Sequence, residues 1–182
     1  GYVIGAEVDA YTGFRDTYVN LFVRYATGLA AYGQWASPGE LANDKTTDGA
    51  HELVVAAGGN AEWGPIGVQL GAYIRSFRDA STRLDYEDVD EGIVVVRPSV
   101  FLGKFAGISV EGSYQVGQRG VLSDDPNDPT ASPGGPRLAS LFRFGVVPFL
   151  TPAGPGDFTR PHIRFIYLLT VRNDNAKNLY PE

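Results

Sequence analysis

The chain has 182 residues, a formal charge of −6 and only three lysines, so it lacks the basic surface that a nucleic-acid partner requires. It contains no cysteine, which excludes a disulfide scaffold and a cysteine-built metal centre. Glycine (23 residues) and aromatics (10 Tyr, 10 Phe, 2 Trp) are abundant, yet no apolar stretch approaches the ~20 residues of a membrane-spanning helix.

The opening Gly1-Tyr2-Val3-Ile4 has no basic start, long apolar run or cleavage site, so it is not a signal peptide. Methionine is absent throughout, and the expectation is a chain drawn from a longer protein. From Tyr2 to Tyr11, Ile4, Ala6, Val8 and Ala10 fall on one face, with Glu7 and Asp9 on the other. From Thr17 to Ala26, Val19, Leu21, Val23 and Tyr25 oppose Tyr18, Asn20, Phe22 and Arg24. Glu52 to Glu62 sets Leu53, Val55, Ala57 and Ala61 against Glu52, Asn60 and Glu62. Ile66 to Phe77 sets Val68, Leu70, Ala72 and Ile74 against Gln69, Tyr73 and Arg75.

The second half continues in the same way. Val94, Val96, Pro98 and Val100 oppose Arg97 and Ser99. Ile108, Val110, Tyr114 and Val116 oppose Ser109, Glu111, Ser113 and Gln115. Leu138, Phe142, Phe144, Val146 and Pro148 oppose Arg143. Ile163, Phe165, Tyr167, Leu169 and Val171 oppose His162, Arg164, Thr170 and Arg172. Eight segments of about ten residues with period two predict an all-β chain, the wall of a transmembrane antiparallel β-barrel.

No charge falls on the apolar face of these segments. Lipid explains that exclusion, since Arg or Lys at the membrane midplane costs about 2–4 kcal/mol. A soluble sandwich also alternates, but its polar face tends to carry Lys and Thr rather than Glu, Asp, Arg, Tyr and Gly. Ten residues at ~3.3 Å each, tilted about 45°, rise ~23 Å, close to the ~25 Å apolar band of such barrels.

Connections at Thr12–Asp16, Gly64–Pro65, Gly103–Gly107 and Thr151–Thr159 are short. Those at Gly28–His51, Arg78–Gly92 and Gly117–Arg137 are long and polar. Short turns belong to the periplasmic rim and long loops to the exterior, so the first segment runs inward. Trp63, Phe158 and Tyr180 lie near segment ends, where interfacial aromatics are expected. After the eighth segment the chain trails off through Asn175 to Glu182. An open wall would leave two unpaired edges in lipid, so residues 1–182 read as one region of a larger barrel.

Three stretches resemble the maltoporins, the sugar-specific porins of Gram-negative outer membranes. Phe158-Thr159-Arg160-Pro161-His162-Ile163-Arg164 resembles their aromatic-Ser/Thr-Arg-Pro-x-Ile-Arg segment. Phe22-Val23-Arg24-Tyr25-Ala26-Thr27 is similar to Phe-Val-x-Gln-Tyr-Ala-Thr. Val96-Arg97-Pro98, followed by Glu111-Gly112-Ser113-Tyr114, is similar to their Ile-Arg-Pro hairpin ending in Glu-x-Gly-Tyr. The resemblance spans nearly the whole chain and implies the C-terminal half of an eighteen-stranded barrel, without its final strand. It further implies a homotrimer in the cell outer membrane, surrounded by lipid and passing maltose, maltodextrins or related oligosaccharides.

In that family aromatic side chains line the lumen, flanked by ionisable and hydroxyl groups. The resemblance maps two of them onto Tyr18 and Phe158, with Tyr replacing Phe and Phe replacing Trp. A pyranose packs its C–H face on an aromatic ring, and its hydroxyls take strong bonds from charged groups. Arg24, Arg75, Arg97, Glu111, Arg160 and Arg164 are therefore the expected substrate-binding partners, beside inward Phe22, Tyr73, Phe77 and Phe101. The plainer reading is that inward arginines pair with glutamates to stiffen the wall, and that inward aromatics pack under loops.

No metal or cofactor is expected. His51 and His162 are the only histidines, and the acidic runs Asp85–Glu91 and Asp124–Asp128 miss the hand-type calcium pattern. No inward Ser adjoins either histidine, which disfavours a hydrolase, and no enzymatic activity is expected. A general diffusion porin without a saturable sugar site remains the alternative, and a non-conducting structural barrel is a third reading.

Overall fold

A computed structural model describes residues 1–13, 17–32, 47–80, 88–121, 134–156 and 159–179. Its strands are β1 (Val3–Tyr11), β2 (Tyr18–Thr27), β3 (His51–Trp63), β4 (Ile66–Arg78), β5 (Val89–Leu102), β6 (Ala106–Val121) and β7 (Gly134–Leu150). The last two are β8 (Ile163–Arg164) and β9 (Tyr167–Arg172), followed by helix α1 (Asp174–Leu179). Each strand through β7 pairs antiparallel with the next, and β8 and β9 both pair with β7. β1 forms one edge of this sheet, and β8 and β9 together form the other.

Register turns the period-two pattern into two continuous surfaces. One cross-strand row runs Val8, Leu21, Ala57, Ala72, Val94, Tyr114, Phe142 and Val171. The row one residue along runs Glu7, Phe22, Ala56, Tyr73, Ile93, Gln115, Leu141 and Arg172. A slip of one residue in any strand would exchange the two faces.

The aliphatic rows do not meet each other. Leu53 is 41% exposed and Leu70 54%, although both would head for the centre of a sandwich. A contiguous apolar surface of this extent requires a non-aqueous neighbour, and hydrocarbon provides one. At the long-connection end the same face turns polar, with Ser76, Asp90 and Gln118 in one row. There Arg78 and Ser76 both bond Asp90, at 2.8 Å and 2.6 Å. These charges lie past the apolar band rather than within it.

Several boundaries differ from the sequence expectation. The fifth strand starts at Val89 rather than near Val94, and the sixth and seventh reach Val121 and Gly134. The eighth segment is recorded as two pieces. Phe149 opposite Arg164 and Val146 opposite Tyr167 keep one register, and the break falls opposite Pro148. Phe165 N–H donates to the Pro148 carbonyl at 3.0 Å, but proline has no N–H to return. The tail expected to trail off instead forms α1. Asn173 caps it, its Oδ1 accepting from Ala176 N–H at 2.8 Å, and its Nδ2 donates to the Leu138 carbonyl at 3.0 Å.

Two glycines are required by geometry. Gly64 has φ +57 and begins the two-residue Gly64-Pro65 turn between β3 and β4, a position that disfavours any side chain. Gly145 lets β9 approach β7: a Cβ there would sit 2.4 Å from the Tyr167 carbonyl oxygen and 2.2 Å from Leu168 Cδ2. Leu168 can rotate away, but the backbone oxygen cannot. Gly145→Ala is therefore expected to lower the unfolding free energy by about 1–3 kcal/mol, measured by urea titration in lipid vesicles. Deuterium exchange should accelerate in β9 first, and unchanged exchange there would refute the close-approach argument.

Candidate functional site: the polar face

Residues opposite the apolar face form a ladder of cross-strand ion pairs. Arg24 on β2 and Arg75 on β4 both bond Glu52 on β3, Arg75 Nε donating to Oε1 at 2.6 Å. Arg75 also reaches Glu91 on β5 at 3.4 Å, and the Tyr73 hydroxyl donates to the same carboxylate at 3.4 Å. Further along, Arg97 Nε donates to Glu111 on β6 at 2.8 Å, and its Nη1 to Gln69 at 3.3 Å. Near the β1 edge, Asn20 donates to Glu7 at 2.7 Å and to Asp9 at 2.6 Å. Alternation places each of these groups on one face, and antiparallel register brings opposite charges within reach.

At the long-connection end this face is covered. A 3₁₀ turn, Gly28–Tyr32, packs Ala31 and Tyr32 against Ala26, Ala50, Phe77 and Val89, all buried. The Tyr32 and Phe77 rings meet edge to face at 5.2 Å. At the short-turn end, Phe149 meets Phe101 at 5.7 Å and stacks on His162 at 4.9 Å. Arg164 Nε donates to His162 Nδ1 at 2.9 Å, which places the imidazole proton on Nε2.

A sheet with hydrocarbon on one side and a wet, charged surface on the other defines a β-barrel channel of an outer membrane. The LamB porin family profile matches residues 1–180, and the chain belongs to that family, whose members are porins of the Gram-negative outer membrane. No match to a curated protein accompanies it.

The structure separates the residues expected at the site into groups. Tyr18 lies at the start of β2 on the lumen face, opposite Tyr11 and Asn60, and is half-buried. Arg24, Arg75, Arg97 and Glu111 all face the lumen, each held in the ion pairs above. Arg164 also lies on that face, opposite Phe149, and is exposed. Arg160 is exposed in the connection before β8, its Nη1 donating to the Thr159 carbonyl at 3.0 Å. Phe158 lies outside the described residues.

Two inward aromatics expected as sugar contacts are covered instead. Phe77 sits beneath Tyr32, and Phe101 sits beneath Phe149. Phe22 and Tyr73 keep part of their surface open. The acidic run Asp85–Glu91 leads into β5, which begins at Val89. Glu91 is a lumen residue of β5, Asp90 belongs to the opposite face, and 85–87 lie outside the described residues, as does Asp124–Asp128. Glu52 and Glu91 were missed as partners of the arginines. Their signal was available for Glu52, which already stood on the polar face, but Glu91 was hidden by the late start assigned to its strand.

Proposed function

We propose that this chain forms part of the wall of a channel for facilitated diffusion of maltose and maltodextrins, working as a homotrimer. The observation that supports this most is the combination on one lumen face of partly open aromatics, Tyr18, Phe22 and Tyr73, with charges held still by ion pairs. Rings receive the C–H face of a pyranose, and fixed carboxylates and guanidiniums bond its hydroxyls without first being reoriented. Several weak contacts in series let a sugar leave as readily as it enters. Arg97, Glu111, Arg160 and Arg164 serve as hydroxyl partners in this reading, with Tyr18 and Phe158 as rings.

Planar-bilayer conductance with added maltohexaose tests it. Saturable, concentration-dependent block is expected, and Tyr18→Ala should weaken it about three- to tenfold, the share of one aromatic contact. Cross-linking in detergent should capture three subunits. Conductance untouched by maltohexaose would overturn the sugar assignment. It would favour a general diffusion porin, for which Arg24, Arg75 and Arg97 opposite their carboxylates form a transverse field without a sugar site.

A further inference from the structure

We propose a second sugar subsite on the lumen face toward the long-connection end, a hollow closed on one side by α1. The proposal deepens the sugar-channel reading and rests on it. One cross-strand row carries Tyr73, Ile93, Gln115, Leu141 and Arg172 on five neighbouring strands. In the adjacent row Glu91 is followed by Gly117 and Ala139, and these two small residues leave a depression between larger neighbours. A recess of about 270 Å³ results, lined by Tyr73, Glu91, Gln115, Leu141, Arg172 and Ala176 among others. A Cβ built on Gly117 meets no atom within 4 Å, so the space above it is open.

The lining fits one pyranose ring. Tyr73 is 37% exposed and offers an aromatic surface to the C–H face. Its hydroxyl and Arg75 both bond Oε1 of Glu91, leaving Oε2 to accept from sugar hydroxyls. Gln115 both donates and accepts, and Arg172 donates from the far side. Acceptors at one end and donors at the other match a ring whose hydroxyls do both. The recess lining carries one carboxylate, Glu91, and one guanidinium, Arg172, a balance that suits a neutral sugar better than an anion. The position, one rung from the covered Phe77 and Val89, makes it a contact met before the Tyr18 level by a sugar arriving through the long-loop end.

Single-channel recording with maltohexaose added on the long-loop side tests this in the assembled channel. Tyr73→Ala and Gly117→Leu, the second growing into the hollow from a Cβ position that meets no atom within 4 Å, should each lower the association constant about three- to tenfold. Heat-resistant migration of each variant on gels checks that it is folded. If maltohexaose blocks the parent channel and Tyr18→Ala weakens that block, but Tyr73→Ala and Gly117→Leu bind normally, the subsite is refuted and the channel reading stands. If the parent channel shows no block at all, both fall together.

Discussion

Replacing Glu52 with alanine is expected to destabilise the wall and shift its ion selectivity toward anions in one step. Glu52 is the shared partner of Arg24 and Arg75, and its side chain is only 3% exposed. Removing it leaves two guanidiniums facing each other across β3 with no carboxylate between them. Losing one partner of a fully buried pair costs roughly 3–5 kcal/mol. The arginines here are 33% and 30% exposed, so water softens the loss to about 2–3 kcal/mol. Arg75 retains Glu91, whereas Arg24 has no second acidic partner among the described residues, so disorder should be greatest at β2. Glu52→Gln keeps an acceptor but removes the charge. It should recover part of the stability while keeping the selectivity shift. Thermal unfolding of the reconstituted protein reads the first effect, and reversal potential in a salt gradient reads the second. Unfolding and reversal potential both unchanged in Glu52→Ala would show that the triad is incidental to the wall.

That triad bears on how the lumen recognises a neutral ligand. An unpaired arginine in a channel attracts any anion, whereas one held by a carboxylate offers directed N–H groups with little net charge. Pairing is therefore compatible with sugar contact rather than an alternative to it. The wall-stiffening reading and the binding reading of Arg97 and Glu111 describe the same geometry at two levels. One concerns what fixes the side chains, and the other what their remaining donors and acceptors can meet.

Faces and strand order were legible in the sequence because alternation is a local property, visible over four or five residues. Leu21, Val55 and Ile74 declared the lipid side without any knowledge of their neighbours. Partners were less legible, since the triad of Arg24, Glu52 and Arg75 depends on register across three strands and two connections. The ends of strands were least legible. Val89-Asp90-Glu91-Gly92 breaks the apolar rhythm, because beyond the membrane band the outward face no longer needs to be apolar and Asp90 can pair with Arg78. Burial of Phe77 and Phe101 depends on what lies above the sheet, Tyr32 from a connection and Phe149 from β7. Period-two reasoning assigns a direction to a ring, but it cannot say that another ring stands over it.

Val94→Arg and Val95→Arg should behave as opposites, although they are neighbours with the same native side chain. Val94 lies on the apolar face in the row of Ala72 and Tyr114, near the middle of β5, and is exposed there. An arginine at that place meets hydrocarbon, and the expected loss is about 2–4 kcal/mol in a bilayer. Val95 lies on the lumen face between Gly71 and Ser113, its Cγ1 resting over Gly71, and a longer side chain extends from there into the lumen. Val95→Arg should fold within about 1 kcal/mol of the parent, because the added charge stays in water. It should instead reduce single-channel conductance, since a guanidinium then projects into the ion path. Urea titration in vesicles measures the stabilities, and planar-bilayer recording measures the currents. Strand propensity, residue volume and position along the strand are nearly the same for the pair, so only the solvent on each face can divide them. A reversed order of stabilities would mean that the aliphatic rows face water and the ion-pair ladder faces lipid.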